Sequence, residues 1–141
     1  MKKFLSASEK ETGEIAEAIC RNVKAGSVVA FKGGLGMGKT AFVRGALKAY
    51  GNDSFVCSPT FALVHDYGGV PHIYHFDMYR VTGWDDLYST GFFDYLNEDS
   101  ILFIEWSENV VDALPENTVI VEITQGDGPD DRIITVSGGG F

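Results

Sequence analysis

SVVAFKGGLGMGKTAFVRGALKAY, residues 27–50, passes from a short β-branched run through a cluster of glycines into a helical pattern. Residues 27–31 are apolar but too few, and too closely bounded by glycine, to form a helix, so they predict a buried strand. From Lys39 onward, Phe42, Val43, Ala46 and Leu47 recur at helical spacing until Gly51 supplies a stop. Between strand and helix, Gly33 and Gly38 occupy the first and sixth positions of GxxxxGK[ST]. Glycines there let successive backbone N–H groups turn inward around phosphate oxygens, and the helix start adds unpaired N–H groups and a positive end. The run Gly33, Gly34, Leu35, Gly36, Met37, Gly38, Lys39, Thr40 and Ala41 therefore predicts a phosphate-binding loop. Lys39 is placed to reach the β and γ phosphates of ATP, and the Thr40 hydroxyl to ligate Mg²⁺.

A loop that holds a triphosphate needs carboxylates near the metal. ILFI at 101–104 is four large apolar residues in a row, the signature of a strand covered on both faces, and it ends at Glu105. Functional groups of α/β proteins gather at such strand ends, which makes Glu105 the expected Walker B acid, a metal ligand that also orients the attacking water. Asp77 is the second carboxylate. Runs 61–67 and 70–76 flank Gly68-Gly69 and predict a hairpin with a two-residue turn. That register pairs Tyr67 with Val70, sets His65 beside His72, and brings Thr60 opposite Asp77 as a metal or γ-phosphate sensor. His75 then faces away from the other two histidines, so a zinc site is not expected from the hairpin. Arg80 is open to two readings, a partner for phosphate charge or for the acidic half of the chain. Trp106 either covers the nucleotide site or packs beneath it.

Outside these motifs, Ser8 and Glu11 stand at capping-box spacing before an amphipathic helix over 9–22. One or two short helices are expected over 83–97, broken at Gly91. Two late strands cover 119–124 and 132–136, and GGG at 138–140 predicts a frayed tail over 137–141. Strands alternating with helices predict a single P-loop NTPase domain over 1–141. Its class is α/β, three layers α/β/α, with a mostly parallel central sheet and an added antiparallel hairpin.

Charge is unevenly distributed. Residues 1–80 hold 10 of the 11 Lys and Arg and 7 of the 20 Asp and Glu, whereas 81–131 hold 13 acidic residues and no Lys or Arg. The net charge of −9 argues against a general nucleic-acid binder. The acidic half has two readings, a solvated face or a dock for a basic partner. Cys20 and Cys57 have neither redox nor zinc spacing and are expected to be buried thiols. The N-terminus lacks the apolar stretch of a signal peptide, and no 18-residue apolar run occurs, which favours the cytoplasm.

The residues also carry a resemblance. SEKET at 8–12, GGLGMGKT at 33–40, SPTFALVHDY at 58–67, HFDMYR at 75–80, DLYSTG at 86–91 and IEW at 104–106 are similar, in order and spacing, to the TsaE (YjeE) family of bacterial tRNA threonylcarbamoyladenosine biosynthesis ATPases. The resemblance departs from the family at Met37, usually alanine, and at Asp86, often glutamate. It implies that Thr12 lies near adenine, Thr60 belongs to a γ-phosphate-sensing loop, Asp77 binds Mg²⁺, Glu105 is the Walker B acid and Trp106 lines the nucleotide site. It further implies a slow, Mg²⁺-dependent ATPase that assists or resets TsaD-like and TsaB-like partners, with direct contact to tRNA left open. Two other readings of the same phosphate loop are a nucleotide-gated assembly module and a small-molecule kinase. The kinase fits worse, since 81–131 offers no arginine for a lid.

Overall fold

The computed structural model describes residues 1–32, 38–53, 64–78, 81, 84–89, 91–105 and 107–141. Seven strands form one sheet: β1 Lys2–Ser6, β2 Val28–Lys32, β3 Val64–Gly68, β4 His72–Asp77, β5 Ser100–Glu105, β6 Val119–Gln125 and β7 Arg132–Ser137. Their order is β1-β7-β6-β2-β5-β4-β3. The central strands β6, β2, β5 and β4 run parallel, while β3 on one flank and β7 with β1 on the other are antiparallel. The sheet is therefore mixed rather than mostly parallel with one added hairpin. The difference comes from β1, which pairs with β7 through Phe4↔Ile134 and Ser6↔Arg132 and builds a second antiparallel flank.

Two helices, α1 Glu9–Cys20 and α2 Lys39–Ala49, cover one face. There Ile19, Phe42, Val43 and Leu47 bury against Phe31, Ile73, Ile101 and Phe103. The opposite face is covered by Met78, Val81 and two short helices, α3 Trp84–Ser89 and α4 Phe92–Tyr95, whose Leu87 and Phe92 meet Val28, Phe76, Leu102 and Ile104. Successive residues of β5 thus alternate between two cores, which is why ILFI carries no polar position. A 3-10 segment, Ser107–Ala113, follows β5.

Local chemistry sets the helix starts. Ser8 Oγ accepts from Glu11 N at 3.1 Å, and the Glu11 carboxylate reaches back to Ala7 N at 2.9 Å, a capping box displaced by one residue on its return arm. Gly38 caps α2 with φ +96°, a left-handed conformation that L side chains rarely adopt, so the sixth motif position requires glycine. Gly91, at φ +75°, separates α3 from α4 at the expected break.

The hairpin register differs from the one a two-residue turn dictates. Strands β3 and β4 pair Val64↔Phe76, His65↔His75 and Asp66↔Tyr74, and a bulge between Asp66 and Gly68 resets the register to Gly68↔Ile73. His65 therefore stands across from His75, not His72, and the pairing of Thr60 with Asp77 no longer follows. The reason is a longer bend. Gly68 and Gly69 both take positive φ and the turn continues through Pro71. The Asn52 amide donates to the carbonyls of Tyr67 and Gly68, while the Asp66 carboxylate accepts from Gly68 N and contacts His72.

At the far end, Gly138, Gly139 and Gly140 all have positive φ and turn Phe141 back against the core, where its carbonyl accepts from the Met1 amine at 3.3 Å. Among the described residues no helix is long and apolar enough to cross a membrane.

Candidate functional site at the strand ends

Strands β2, β4 and β5 are parallel, so their C-terminal ends share one edge of the sheet. Residue 32 closes β2 and residue 39 opens α2, which brings the N-terminus of α2 to that same edge. Asp77 and Glu105 are register partners on β4 and β5. Neighbouring strands lie about 4.8 Å apart and register partners project to the same face. That face is the one α2 covers, since Ile73 of β4 with Ile101 and Phe103 of β5, two or four residues earlier, belong to the α1/α2 core. The two carboxylates and the helix start carrying Lys39 and Thr40 thus meet at one corner of the fold.

Burial differs among them. Lys39 is 4% exposed and Glu105 7%, whereas Thr40 and Asp77 are half-buried. Glu105 is fixed through its backbone, whose carbonyl accepts from Met78 N at 3.0 Å. Two residues on, Ser107 Oγ donates to the Phe31 carbonyl at 2.7 Å in a buried bond, tying the exit of β5 to the end of β2. Motif reading passes over Ser107, because only the adjacency of β2 and β5 gives it a role.

Thr12 is buried at 1% exposure, and its hydroxyl bonds Ser6 Oγ at 2.8 Å. Ser6 spends its own proton on the Ser8 carbonyl at 2.8 Å, so the Thr12 hydroxyl is the donor of that pair. A β-carbon built on Gly38 would meet Thr12 Cγ2 at 3.9 Å and Ile123 Cγ2 at 4.0 Å, so Thr12 and Ile123 stand beside the capped start of α2. Ser6 also lines a groove of about 350 Å³ with Leu5, Ala7, Glu11, Asp131 and Ile133. Ser6 and Ile123 are absent from the motif reading because β1 and β6 reach the site only through sheet order. Ala41 is buried in the first turn of α2. Gly33, Gly34, Leu35, Gly36, Met37, Thr60, Arg80 and Trp106 lie outside the described residues, as does Cys57. Cys20 is buried, as expected, on α1.

A lysine-bearing helix start, capped by a left-handed glycine and set over the carboxylate ends of parallel strands, places this α/β domain in the P-loop-like class. Its residues 6–134 match the family model described as Threonylcarbamoyl adenosine biosynthesis protein TsaE, and the chain belongs to that family. It is 35% identical over 136 residues to the tRNA threonylcarbamoyladenosine biosynthesis protein TsaE of Treponema pallidum, covering 96% of this chain and 99% of the relative. The protein of the same name from Bacillus subtilis is 32% identical over 134 residues, covering 94% and 83%. The Haemophilus influenzae one is 44% identical over 97 residues, covering 68% and 61%. Among solved structures, that of Bacillus subtilis YdiB superposes with a TM-score of 0.76 at 28% identity, covering 97% of this chain and 84% of the other.

Proposed function

We propose that this chain is an ATP-binding and ATP-hydrolysing subunit of the machinery that places threonylcarbamoyl on the adenosine next to the anticodon of tRNA, where it assists or resets TsaD-like and TsaB-like partners. The observation that carries the reading is the register pair Asp77–Glu105 on the face where Lys39 and Thr40 open a helix. Membership of the TsaE family supplies the process.

In this reading Lys39 neutralises the β and γ phosphates, and the backbone of 33–38 with the first turn of α2 supplies N–H donors. Thr12 and the groove beside Ser6 receive the adenine end. The oxygen donors Thr40, Asp77 and Glu105 suit a hard cation. Among the described residues no three His, Cys, Asp or Glu side chains converge as a metal site. Mg²⁺ takes one or two carboxylates and completes its shell with phosphates and water. Held by Thr40, Asp77 and Glu105, Mg²⁺ would supply positive charge that offsets that of the phosphates. Glu105, with its carboxylate held in a nearly dry corner, orients the attacking water, while Thr60 and Trp106 act as γ-phosphate sensor and nucleotide-site wall.

The test is depletion of the protein followed by nucleoside analysis of total tRNA, beside pull-downs with and without ATP. Loss of threonylcarbamoyladenosine and ATP-dependent recovery of the two partners are expected. Normal modification in depleted cells would overturn the proposal.

A further inference from the structure

His75 is completely buried on β4, two residues before Asp77 and on the same face of the sheet. Its Nε2 lies 3.0 Å from Glu105 Oε2, yet the two are not aligned as a hydrogen bond, and Nε2 has no hydrogen-bond partner among the described residues. On the other side of the ring, Nδ1 is 3.2 Å from the hydroxyl of Tyr67 on β3. Buried polar atoms of native proteins are nearly always bonded, and exceptions gather where function needs them. Here the exception points at the carboxylate assigned to catalysis.

We propose that His75 is the positioning residue for Glu105. A carboxylate offers only acceptors, so the attraction requires a hydrogen on Nε2; in the neutral ring Nδ1 is then an acceptor, which the Tyr67 hydroxyl satisfies. The chain Tyr67–His75–Glu105 crosses three adjacent strands, β3, β4 and β5. Each member holds the next: Tyr67 fixes the ring and its tautomer, and the ring limits where the carboxylate can swing. The off-axis contact leaves Glu105 a small rotation in hand, over which its carboxylate can swing into line with the fixed N–H as water and phosphate arrive. Groups that orient a functional side chain from behind change activity by about 10-fold to 100-fold when removed. The inference rests on the reading of Glu105 as the acid of an ATPase.

The test is a double-mutant cycle in which His75→Leu and Glu105→Gln are made singly and together, with Mg²⁺-dependent phosphate release and nucleotide binding measured on each. His75→Leu should lower kcat by about 10-fold or more while KM for ATP changes little. In the Glu105→Gln background it should cost nothing further, and His75→Gln, which keeps an N–H near the Nε2 position, should recover part of the loss. A second readout is independent of turnover. Long-range ¹H–¹⁵N spectra of the nucleotide-free protein should show His75 with its hydrogen on Nε2, and Tyr67→Phe, a variant that keeps the ring packing, should weaken that preference. An unchanged kcat in a folded His75→Leu protein, additive losses in the cycle, or a hydrogen on Nδ1 would each overturn the positioning role. If instead Glu105→Gln itself turns over at the parental rate, the reading of Glu105 fails, which is a separate result. Should His75→Leu not fold, Tyr67→Phe and the tautomer decide the matter, with an unaltered tautomer and kcat in Tyr67→Phe counting against the proposal.

Discussion

Gly13 and Gly45 lie back to back where α1 crosses α2: a β-carbon built on Gly45 would sit 2.5 Å from both the carbonyl carbon and the Cα of Gly13, and closer still to its oxygen. Contact with rigid backbone cannot be relieved by rotating a side chain. The reverse does not hold, because a β-carbon on Gly13 would meet Ala41 O at 3.6 Å and Gly45 Cα at 3.7 Å, ordinary contacts. This crossing keeps Thr12 on α1 beside the capped start of α2, so a packing detail sets the geometry of the candidate site.

The pair predicts opposite outcomes for the same substitution. Gly45→Ala should destabilise the protein by about 1–3 kcal/mol or more through overpacking, lowering Tm by about 3 °C per kcal/mol. Gly13→Ala should be neutral or stabilising, by up to about 1 kcal/mol of helix propensity. Thermal melts of both variants check this. Equal Tm values for the two would show that α1 and α2 are not held this closely.

Lys39→Ala should remove most nucleotide affinity with little loss of fold, because the phosphates lose their cationic partner. Lys39 is almost fully buried, so a thermal melt must accompany the titration with labelled ATP. A folded variant that binds ATP as the parent does would sink the phosphate-loop assignment.

Asp77→Asn and Glu105→Gln should keep at least part of nucleotide binding yet lose Mg²⁺-dependent turnover by about 10²-fold or more, the effect of removing one transition-state electrostatic contact. Binding and ATPase assays run side by side separate the two. Parental turnover in Glu105→Gln would mean that the residue at the end of β5 is not the acid.

How much of this was legible in the chain depends on what each residue's role requires. The strand into the glycines, the helix after Lys39, and Glu105 at the end of ILFI follow from local pattern, because burial on both faces leaves an unbroken apolar run. Strand β1 leaves no such trace. Its Lys2, Lys3 and Leu5 are exposed and only Ser6 is buried, so pairing with β7, not its own periodicity, makes it a strand. The hairpin register departs from that of a two-residue turn because a bulge at Asp66–Gly68 and the Asn52 amide, neither visible in a Gly-Gly pair, set the bend. Asp77 and Glu105 were readable singly, but their pairing, and the approach of His75 to Glu105, depend on β4 lying next to β5.

A pH dependence follows from Cys20. Burial pushes its thiol up to about 12, opposed in part by its hydrogen bond with Tyr50. Tyr50 donates its hydroxyl to the carbonyls of Cys20 and Val23, and burial raises its own pKa as well. A raised folded-state pKa means that the thiol's contribution is complete below the unfolded value, near 9.0, and is lost as pH climbs toward the folded one. Urea denaturation of the parent and of Cys20→Ala should therefore show a stability gap that is constant below pH 8. Between about pH 9 and 12 it should narrow by at most about 1.4 kcal/mol per pH unit. A gap that stays constant up to pH 11 would contradict the buried thiol's raised pKa.

The isolated protein should be a slow ATPase that a partner accelerates. Of its four arginines, Arg21 pairs with Glu17 on α1, Arg44 lies in the middle of α2, and Arg132 donates to the carbonyls of Pro129 and Asp131 on β7. Arg21 and Arg44 do not start from the strand ends where Asp77 and Glu105 meet; Arg132 opens β7 at that edge of the sheet but three strands away from Glu105, and Arg80 is the one adjacent in sequence to that corner. Without a cation over the transferring phosphoryl group, charge that develops in the transition state is poorly neutralised, and a group supplied in trans can raise such rates by about 10³ to 10⁵. The segment 81–131, with its 13 acidic and no basic residues, exposes Asp85 and Asp86 on α3 and offers a dock for a basic partner surface. Steady-state phosphate release should be measured for the chain alone, with a TsaD-like or a TsaB-like protein, and with both, at low and high salt. Stimulation that needs a partner and weakens as salt rises is expected, because screening shortens the reach of exposed charges to about 3 Å at 1 M. Fast turnover by the chain alone, unaffected by either protein, would refute the dependence. Stimulation undiminished at high salt would keep the partner but reject the acidic segment as its main electrostatic dock.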